Sequence, residues 1–393
     1  MKIVHVLTSA ATSWGGPPRA VRNLTAGLNK LGVENTVVTL EDRAVGSVQF
    51  PGETKVRTCG KVLFGYSQGG NSILAKMAIP ASTAFLRVLV AEIGSADLVH
   101  LHELWSVPHF FGGLISKIAN RPFIVSPHGE LTPWALGRRH RLKRLAWHAY
   151  EKQLLLGVSG IHALSLAEQE YFLQLDSRLP VKVIPNGVDI ENIDQLLGLL
   201  KDVDKDGSAS PFALYVGRLA AGKGLDILLE AMGEVNKQAI ELSLILVGPD
   251  EFGLWPKMHS KAIALGIGER VKYLGVINEP YKYAVFASAA LFILPSESEG
   301  MSLSLLEALA CGTPLVVTPE CNITQNELGL AGVVVEPNAK SISAAVIKML
   351  QDPAMFRARR KAARQLASER YSNDIIANRM MQFYADAISR SQT

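Results

Sequence analysis

Two glutamates, one arginine and one lysine hold most of the chemistry this sequence offers. Glu299 and Glu307, with seven residues between them, lie in L-P-S-E-S-E-G-M-S-L-S-L-L-E-A-L-A-C-G-T-P, which runs from Leu294 to Pro314. The apolar run Ala290–Leu294 reads as a buried strand that closes at Pro295. Ser296–Gly300 reads as a polar loop. From about Ser302 the pattern turns helical, with Leu305, Leu306 and Leu309 on one face until Gly312 and Pro314 stop it. A helix N-terminus at the carboxyl end of a strand presents unbonded N–H groups and the positive end of the dipole, so it suits a phosphate. Carboxylates repel phosphate, so the two glutamates are expected to face hydroxyl groups. A ligand with hydroxyls on either side of a diphosphate is a nucleotide sugar. Ser304-x-x-Glu307 also has the spacing of a capping box, which is a purely structural role for Glu307.

The cations precede the carboxylates. Val216-Gly217-Arg218-Leu219 ends an apolar run, and Gly222-Lys223-Gly224 follows. Arginine supplies a planar fork and lysine a point charge, so together they form a clamp that neutralises a departing diphosphate. Val247-Gly248-Pro249 and Leu274-Gly275-Val276 end two more strands with small residues, against which a base and ribose would pack. In the first half, Gly15-Gly16-Pro17-Pro18-Arg19 follows the first apolar run. Glycines let backbone approach a ligand, and the prolines fit a helix's first turn. Val21, Leu24, Leu28 and Leu31 then mark one helical face before Gly32. Arg19 at that helix start is placed to meet an anion. Ser126-Pro127-His128-Gly129-Glu130 ends the fourth strand, where α/β sheets face their ligands.

These residues need a scaffold of parallel strands, and the chain supplies one twice. Ile3–Leu7, Thr36–Leu40, Leu98–Leu101, Phe123–Ser126, Gly160–Ala163 and Val181–Ile184 read as strands, with helical patterns between most of them. Ala213–Val216, Ser243–Val247, Val271–Leu274, Leu291–Leu294, Leu315–Val317 and Val333–Val335 repeat the scheme. At 393 residues, two doubly wound α/β domains are expected. Leu199–Ser210 is charged and then Gly/Ser-bearing, so it reads as the linker. The expected domains are 1–195, joined by the last helix 372–393, and 196–371. Tyr371-Ser372 interrupts the C-terminal helical pattern.

Several classes are excluded or weakened. A net charge of +4 is too mild for a nucleic-acid binder. Cys59, Cys311 and Cys321 are odd in number and widely spaced, which argues against disulfides and a zinc site and for a reducing cytoplasm. Met1–Ala11 has one lysine and a short apolar run containing His5, so it reads as a strand and not as a signal peptide. No apolar run is long enough for a membrane span. A dinucleotide fold would need G-x-G-x-x-G after the first strand, which is missing, although Glu41 and Asp42 do end the second. Trp134 to Trp147 holds Arg138, Arg139, His140, Arg141, Lys143 and Arg144, with Leu142, Leu145 and Ala149 on one helical face. It reads as a basic amphipathic helix that docks on anionic lipid or holds an acceptor phosphate, or else as a solvated face.

In order and spacing these motifs resemble the retaining glycosyltransferases of family 4, which have the GT-B fold of two Rossmann-like domains facing each other across a cleft. The resemblance spans nearly the whole chain. It rests on Gly15-Gly16 with Arg19, His128-Gly129, Asn186-Gly187-Val188-Asp189, G-R-L-x-x-x-K-G from Gly217 to Gly224, and the Glu299–Glu307 pair. It implies that Arg218 and Lys223 bind the diphosphate, Glu299 the donor sugar's hydroxyls, and Glu307 the ribose. Backbone N–H groups from Gly300 to Leu303, around Met301 and Ser302, would meet phosphate. Val276 would line the donor site, and His128 would sit by the transferred sugar. The Gly15-Gly16 loop would close on the donor from the other domain. Met301 stands where the family often has an aromatic, and Gly248-Pro249-Asp250 where it usually has G-x-G. No D-x-D metal motif ends a strand, so neither a metal nor another cofactor is expected.

The resulting expectation is a hexosyltransferase with UDP-glucose as donor. The acceptor would be a saccharide or lipid-linked saccharide in bacterial surface polysaccharide synthesis, with peripheral contact at the inner face of the membrane. A catalytically silent sugar-binding subunit and an epimerase of the same fold are the alternatives.

Overall fold

The computed structural model describes residues 1–41, 46–61, 80, 83–132, 140–200, 211–250 and 252–392. The chain divides into two units, Met1–Gly187 with Asn373–Thr393, and Val188–Ser372.

The first unit is a parallel sheet of β1 (Lys2–Ser9), β2 (Glu34–Glu41), β3 (Lys55–Lys61), β4 (Leu98–His102), β5 (Phe123–Ser126), β6 (Gly160–Ala163) and β7 (Val181–Val183). Their spatial order is β3-β2-β1-β4-β5-β6-β7. Helices between the strands cover both faces, so β1 and β4 are buried along nearly their whole length. β3 has no counterpart among the strands expected from apolar runs. Its residues, K-V-R-T-C-G-K, bury only Cys59 because the strand lies at the sheet edge, where charged side chains meet water and no apolar run forms.

The helix Gly16–Lys30 follows β1, with prolines in its first turn and Val21, Leu24 and Leu28 buried. Leu31, expected on the same face, is the C-cap and is exposed. The last helix, Asn373–Gln392, belongs to this unit. Its Ile376, Met380, Phe383 and Tyr384 share a core with Ile3, Leu28, Leu98 and Ile124. The two helices meet at Gly27, where an added Cβ would lie 2.6 Å from the Asn373 carbonyl oxygen and 2.8 Å from the Ala377 Cβ.

The second unit is a parallel sheet of β8 (Phe212–Val216), β9 (Ser243–Val247), β10 (Val271–Tyr273), β11 (Leu291–Leu294), β12 (Leu315–Val317) and β13 (Gly332–Val334), in the order β10-β9-β8-β11-β12-β13. In both units the order reverses beside the first strand, between β1 and β4 and between β8 and β11. Ligands of open α/β sheets bind at such switch points, beyond the carboxyl ends of the strands.

The expected boundary at 195/196 cuts the helix Ile190–Gly198, which lies wholly in the second unit. Asp189 caps that helix through the Asn192 amide, Ile193 is buried, and Asp194 pairs with Arg364 at 2.5 Å. Tertiary contacts therefore begin before the charged stretch, most of which (201–210) lies outside the described residues. On the C-terminal side the division falls at Ser372/Asn373, directly after a π-helical turn, Ala367–Tyr371.

The packing at Gly27 yields a test. Gly27→Leu forces the last helix away from the helix Gly16–Lys30 and is expected to destabilise the first unit by about 1–3 kcal/mol. Urea unfolding followed by circular dichroism measures this, and an unchanged midpoint contradicts the docking.

Candidate active site

The second unit gathers its charged residues at the β8/β11 switch point. Lys223 Nζ lies 2.6 Å from Glu299 Oε1, and both side chains are mostly buried. The same oxygen accepts a hydrogen bond from Ser296 Oγ at 2.7 Å. The Glu297 amide donates to the Gly222 carbonyl at 2.9 Å, which ties the loop after β11 to the loop after β8. Gly224 makes this possible: it has φ +64°, and an added Cβ would lie 1.9 Å from the Pro295 carbonyl oxygen. The loop after β12 supports the other side. Asn322, itself at φ +59°, donates through Nδ2 to the carbonyls of Glu299 at 2.6 Å and Gly300 at 2.8 Å. Thr318 Oγ1 donates to the Ser296 carbonyl at 2.6 Å.

The helix after this loop is Leu303–Ala310. Its N-cap, Ser302, makes no side-chain cap bond, and its hydroxyl pairs with that of Ser304 at 2.9 Å. Glu307 is not part of a capping box. Its Oε1 lies 2.7 Å from Lys282 Nζ, a buried lysine on the helix Tyr281–Ser288. Arg218 stands exposed at the end of β8, with its carbonyl accepting from the buried Tyr215 hydroxyl at 2.9 Å. Val276 is exposed after Gly275, and Met301 is buried. The Gly248-Pro249-Asp250 turn has a local cause: Asp250 accepts from the amides of Leu254 and Trp255 at the start of the helix Trp255–Ala264.

The remaining predicted residues lie in the first unit. Gly15 has φ +96°, which favours glycine, while a Cβ on Gly16 would meet open space. Arg19 is half-buried in the first turn of its helix. His128 has φ +52° and is half-buried at the end of a cluster of buried imidazoles, His5, His100, His102 and His162. Burial holds all of them below the ordinary histidine value: His5 and His162 at about 4, His128 at about 3, and His100 and His102 well below it. Glu103, also at positive φ, is pushed up to about 8 by burial and then by Glu130. Hydrogen bonds from Thr8 and Trp14 offset this only in part. The Gly129 amide donates to Glu168 Oε1 at 2.7 Å and the Leu164 amide to Glu168 Oε2 at 2.7 Å.

Two family models match this chain. One, described as glycosyl transferases group 1, covers residues 201–366, and the other, described as a glycosyl transferase 4-like domain, covers 15–187. The chain belongs to the family 4 glycosyltransferases. GDP-mannose:cellobiosyl-diphosphopolyprenol alpha-mannosyltransferase of Xanthomonas campestris is 24% identical over 100% of this chain and 99% of its own. D-inositol 3-phosphate glycosyltransferase 1 of Catenulispora acidiphila is 28% identical over 75% of this chain and 73% of its own. Among solved structures, sucrose-phosphate synthase from Thermosynechococcus elongatus has a TM-score of 0.73 at 20% identity, covering 99% of each chain. Anabaena Alr3699/HepE, in complex with UDP and glucose, has a TM-score of 0.70 at 21% identity, covering 98% of this chain and 99% of its own. These structural matches establish the GT-B fold.

Within this family 4 glycosyltransferase, the motif-borne residues are the ones the sequence revealed, and their partners are the ones it did not. Lys282 comes to Glu307, Asn322 to the Glu299 carbonyl and Thr318 to the Ser296 carbonyl only through the fold. Of the basic segment, 133–139 lies outside the described residues. His140–Ala146 is helical, and of the expected apolar face Leu145 is 66% exposed and Ala149 is exposed too. No helix among the described residues is long and apolar enough to cross a membrane.

The imidazole cluster predicts acid sensitivity. In the unfolded chain these histidines take up protons near 6.5, whereas folded they hold off to about 4 (His5, His162) and about 3 (His128). Between those values the unfolded chain binds more protons, so this contribution is complete above 6.5 and is lost as pH falls. Each histidine accounts for up to about 1.4 kcal/mol per pH unit. Urea midpoints at pH 7 and pH 5 check it, and equal midpoints contradict burial of neutral rings.

Proposed function

We propose that the protein moves a hexose from a nucleotide diphosphate sugar to a saccharide or lipid-linked saccharide, with retention of anomeric configuration and with UDP-glucose as donor. The observation that carries this reading is the Lys223–Glu299 pair at 2.6 Å, placed where the sheet order reverses and before an uncapped helix start. In this reading Arg218, Lys223 and the N-terminus of Leu303–Ala310 take the diphosphate. Glu299 takes sugar hydroxyls, and Glu307, paired with Lys282, takes the ribose. The bond from the anomeric carbon to the diphosphate oxygen breaks, and the acceptor oxygen bonds to that carbon on the same face. The acceptor proton passes to the leaving diphosphate. The protein's part is positioning and charge stabilisation.

The UDP complex of the Anabaena protein supports the donor. The relative that matches the whole chain is named for GDP-mannose and a polyprenol-linked acceptor, so GDP-mannose is the second donor to test. Retention of Arg218, Lys223, Glu299 and Glu307 argues against a silent subunit.

Thermal shift with UDP-glucose and GDP-mannose is expected to raise the melting temperature most with UDP-glucose, and product anomers then report the stereochemistry. Arg218→Ala is expected to lose about 2.7–4 kcal/mol of transition-state stabilisation, seen as a drop in kcat. With these cations on the diphosphate, transfer is expected to persist in EDTA. Near-normal turnover in Arg218→Ala sinks the assignment.

For the basic helix, lipid docking is proposed, at about 1 kcal/mol per cation near the surface. Reversing Lys143 and Arg144 is expected to reduce sedimentation with anionic vesicles at low salt. Unchanged sedimentation leaves a solvated face.

A further inference from the structure

His128 ends a line of hydrogen bonds whose direction is set at its far end. Asn35 Nδ2 lies 3.1 Å from the Val33 carbonyl oxygen, which only accepts, so the nitrogen of this amide is fixed. Its other hydrogen goes to Asn29 Oδ1 at 2.7 Å. Asn35 Oδ1 is then the atom 3.1 Å from His5 Nε2, and His5 Nε2 must carry a proton to donate to it. Burial keeps the ring neutral, so His5 Nδ1 is an acceptor. His102 Nε2, 3.1 Å away, must donate to it, which makes His102 Nδ1 the acceptor. His128 Nε2, 3.1 Å from that atom, must donate in turn. The neutral ring of His128 is left with a bare lone pair on Nδ1, and among the described residues nothing hydrogen-bonds that atom. His128 lines a small cleft open to solvent, together with Ala20, His162, Asn186 and Gly187.

A second line beside the first is set in the same way. His162 Nε2 donates to the Ile184 carbonyl at 2.7 Å, so Ser126 Oγ donates to His162 Nδ1 at 2.6 Å. His100 Nε2 donates to Ser126 Oγ at 2.6 Å, and the Tyr384 hydroxyl donates to His100 Nδ1 at 2.8 Å. This line accounts for both nitrogens of His100 and leaves the first line undisturbed.

We propose that Asn35, His5 and His102 are positioning residues that lock His128 in its Nε2–H tautomer, so that Nδ1 accepts a hydroxyl of the transferred sugar. The hydroxyl's identity as a sugar group rests on the function proposed above, while the tautomer does not. A histidine locked the other way would present an N–H and reject the same hydroxyl as donor.

The test uses the full chain labelled with ¹⁵N-histidine and long-range ¹H–¹⁵N spectra, which distinguish the two tautomers without substrate. The expected result is Nε2–H at His5, His102 and His128. His102→Phe is expected to free His128 while His5, still held by Asn35, keeps its tautomer. Asn35→Leu is expected to free all three. A scaffolding role alone would not give this directional pattern. Both variants are expected to lower kcat by about tenfold, the equivalent of one hydrogen bond, with donor KM little changed. An Nδ1–H form at His128 in the unaltered protein overturns the lock even if neither variant folds. So does stoichiometric zinc at His5, His100 and His102, whose ligand atoms lie within 4.8 Å of one another. If the spectra hold and kcat is unchanged, the catalytic part of the proposal is wrong. If the spectra hold and no nucleotide sugar is turned over, the proposed function fails and the lock stands.

Discussion

The second unit depends on one backbone contact, the approach of Gly224 to the Pro295 carbonyl. A side chain there would place a Cβ 1.9 Å from that oxygen, at a φ of +64° that L-residues rarely adopt. The contact is available because β8 and β11 are neighbours at the point where the sheet order reverses. It sets how far the two loops stand apart, and hence whether Lys223, the residue before Gly224, reaches Glu299. Gly248 repeats the device one strand over, where an added Cβ would lie 2.1 Å from the Gly217 carbonyl oxygen. Charge and close packing are thus coupled in the dipeptide Lys223-Gly224.

The first unit has a different constraint, a polar layer inside its sheet. Leaving a buried donor or acceptor without a partner costs about 1–3 kcal/mol, so such a layer persists only when it is fully paired. The imidazole lines meet that requirement at every nitrogen except Nδ1 of the half-buried His128, and each ends on an acceptor fixed by the backbone, Val33 through Asn35 in one and Ile184 in the other. The Tyr384 hydroxyl brings the last helix into the same network. Burial keeps every ring neutral, which lets each one donate at one nitrogen and accept at the other.

What the sequence revealed follows from how each feature is encoded. Phe123–Ser126, Gly160–Ala163 and Leu291–Leu294 are contiguous apolar runs, and their bounds were readable to the residue. β3 is encoded by its neighbours, since an edge strand needs only one buried face, and its sequence looks like a loop. Lys223 and Glu299 belong to linear motifs. Lys282 and Asn322 do not, and only the fold brings them to Glu307 and to the Glu299 carbonyl. The spacing Ser304-x-x-Glu307 could not separate a cap from an ion pair, because both uses place an acid at that position. The buried polar layer does have a signal in the sequence: K-I-V-H-V, L-V-H-L-H and G-I-H-A set histidines inside runs that must be buried. A histidine in such a run has to find a partner on the next strand.

In the donor site proposed above both lysines are paired, and this bears on what the second unit would accept. Lys223 is held by Glu299 and Lys282 by Glu307, so each lysine there already faces a carboxylate before any ligand arrives. A bare phosphate would gain from Lys223 and from the helix start, but it would face Glu299 with nothing to satisfy it. A diphosphate flanked by hydroxyls leaves no such conflict, because each carboxylate then accepts from a hydroxyl while its lysine keeps a partner. Discrimination of this kind works by penalising the wrong ligand as much as by attracting the right one. On the proposed reading it also explains why a site for a diphosphate carries two acids. Without them the cations and the helix dipole would favour any phosphate, and with them the hydroxyls on either side become a condition of binding.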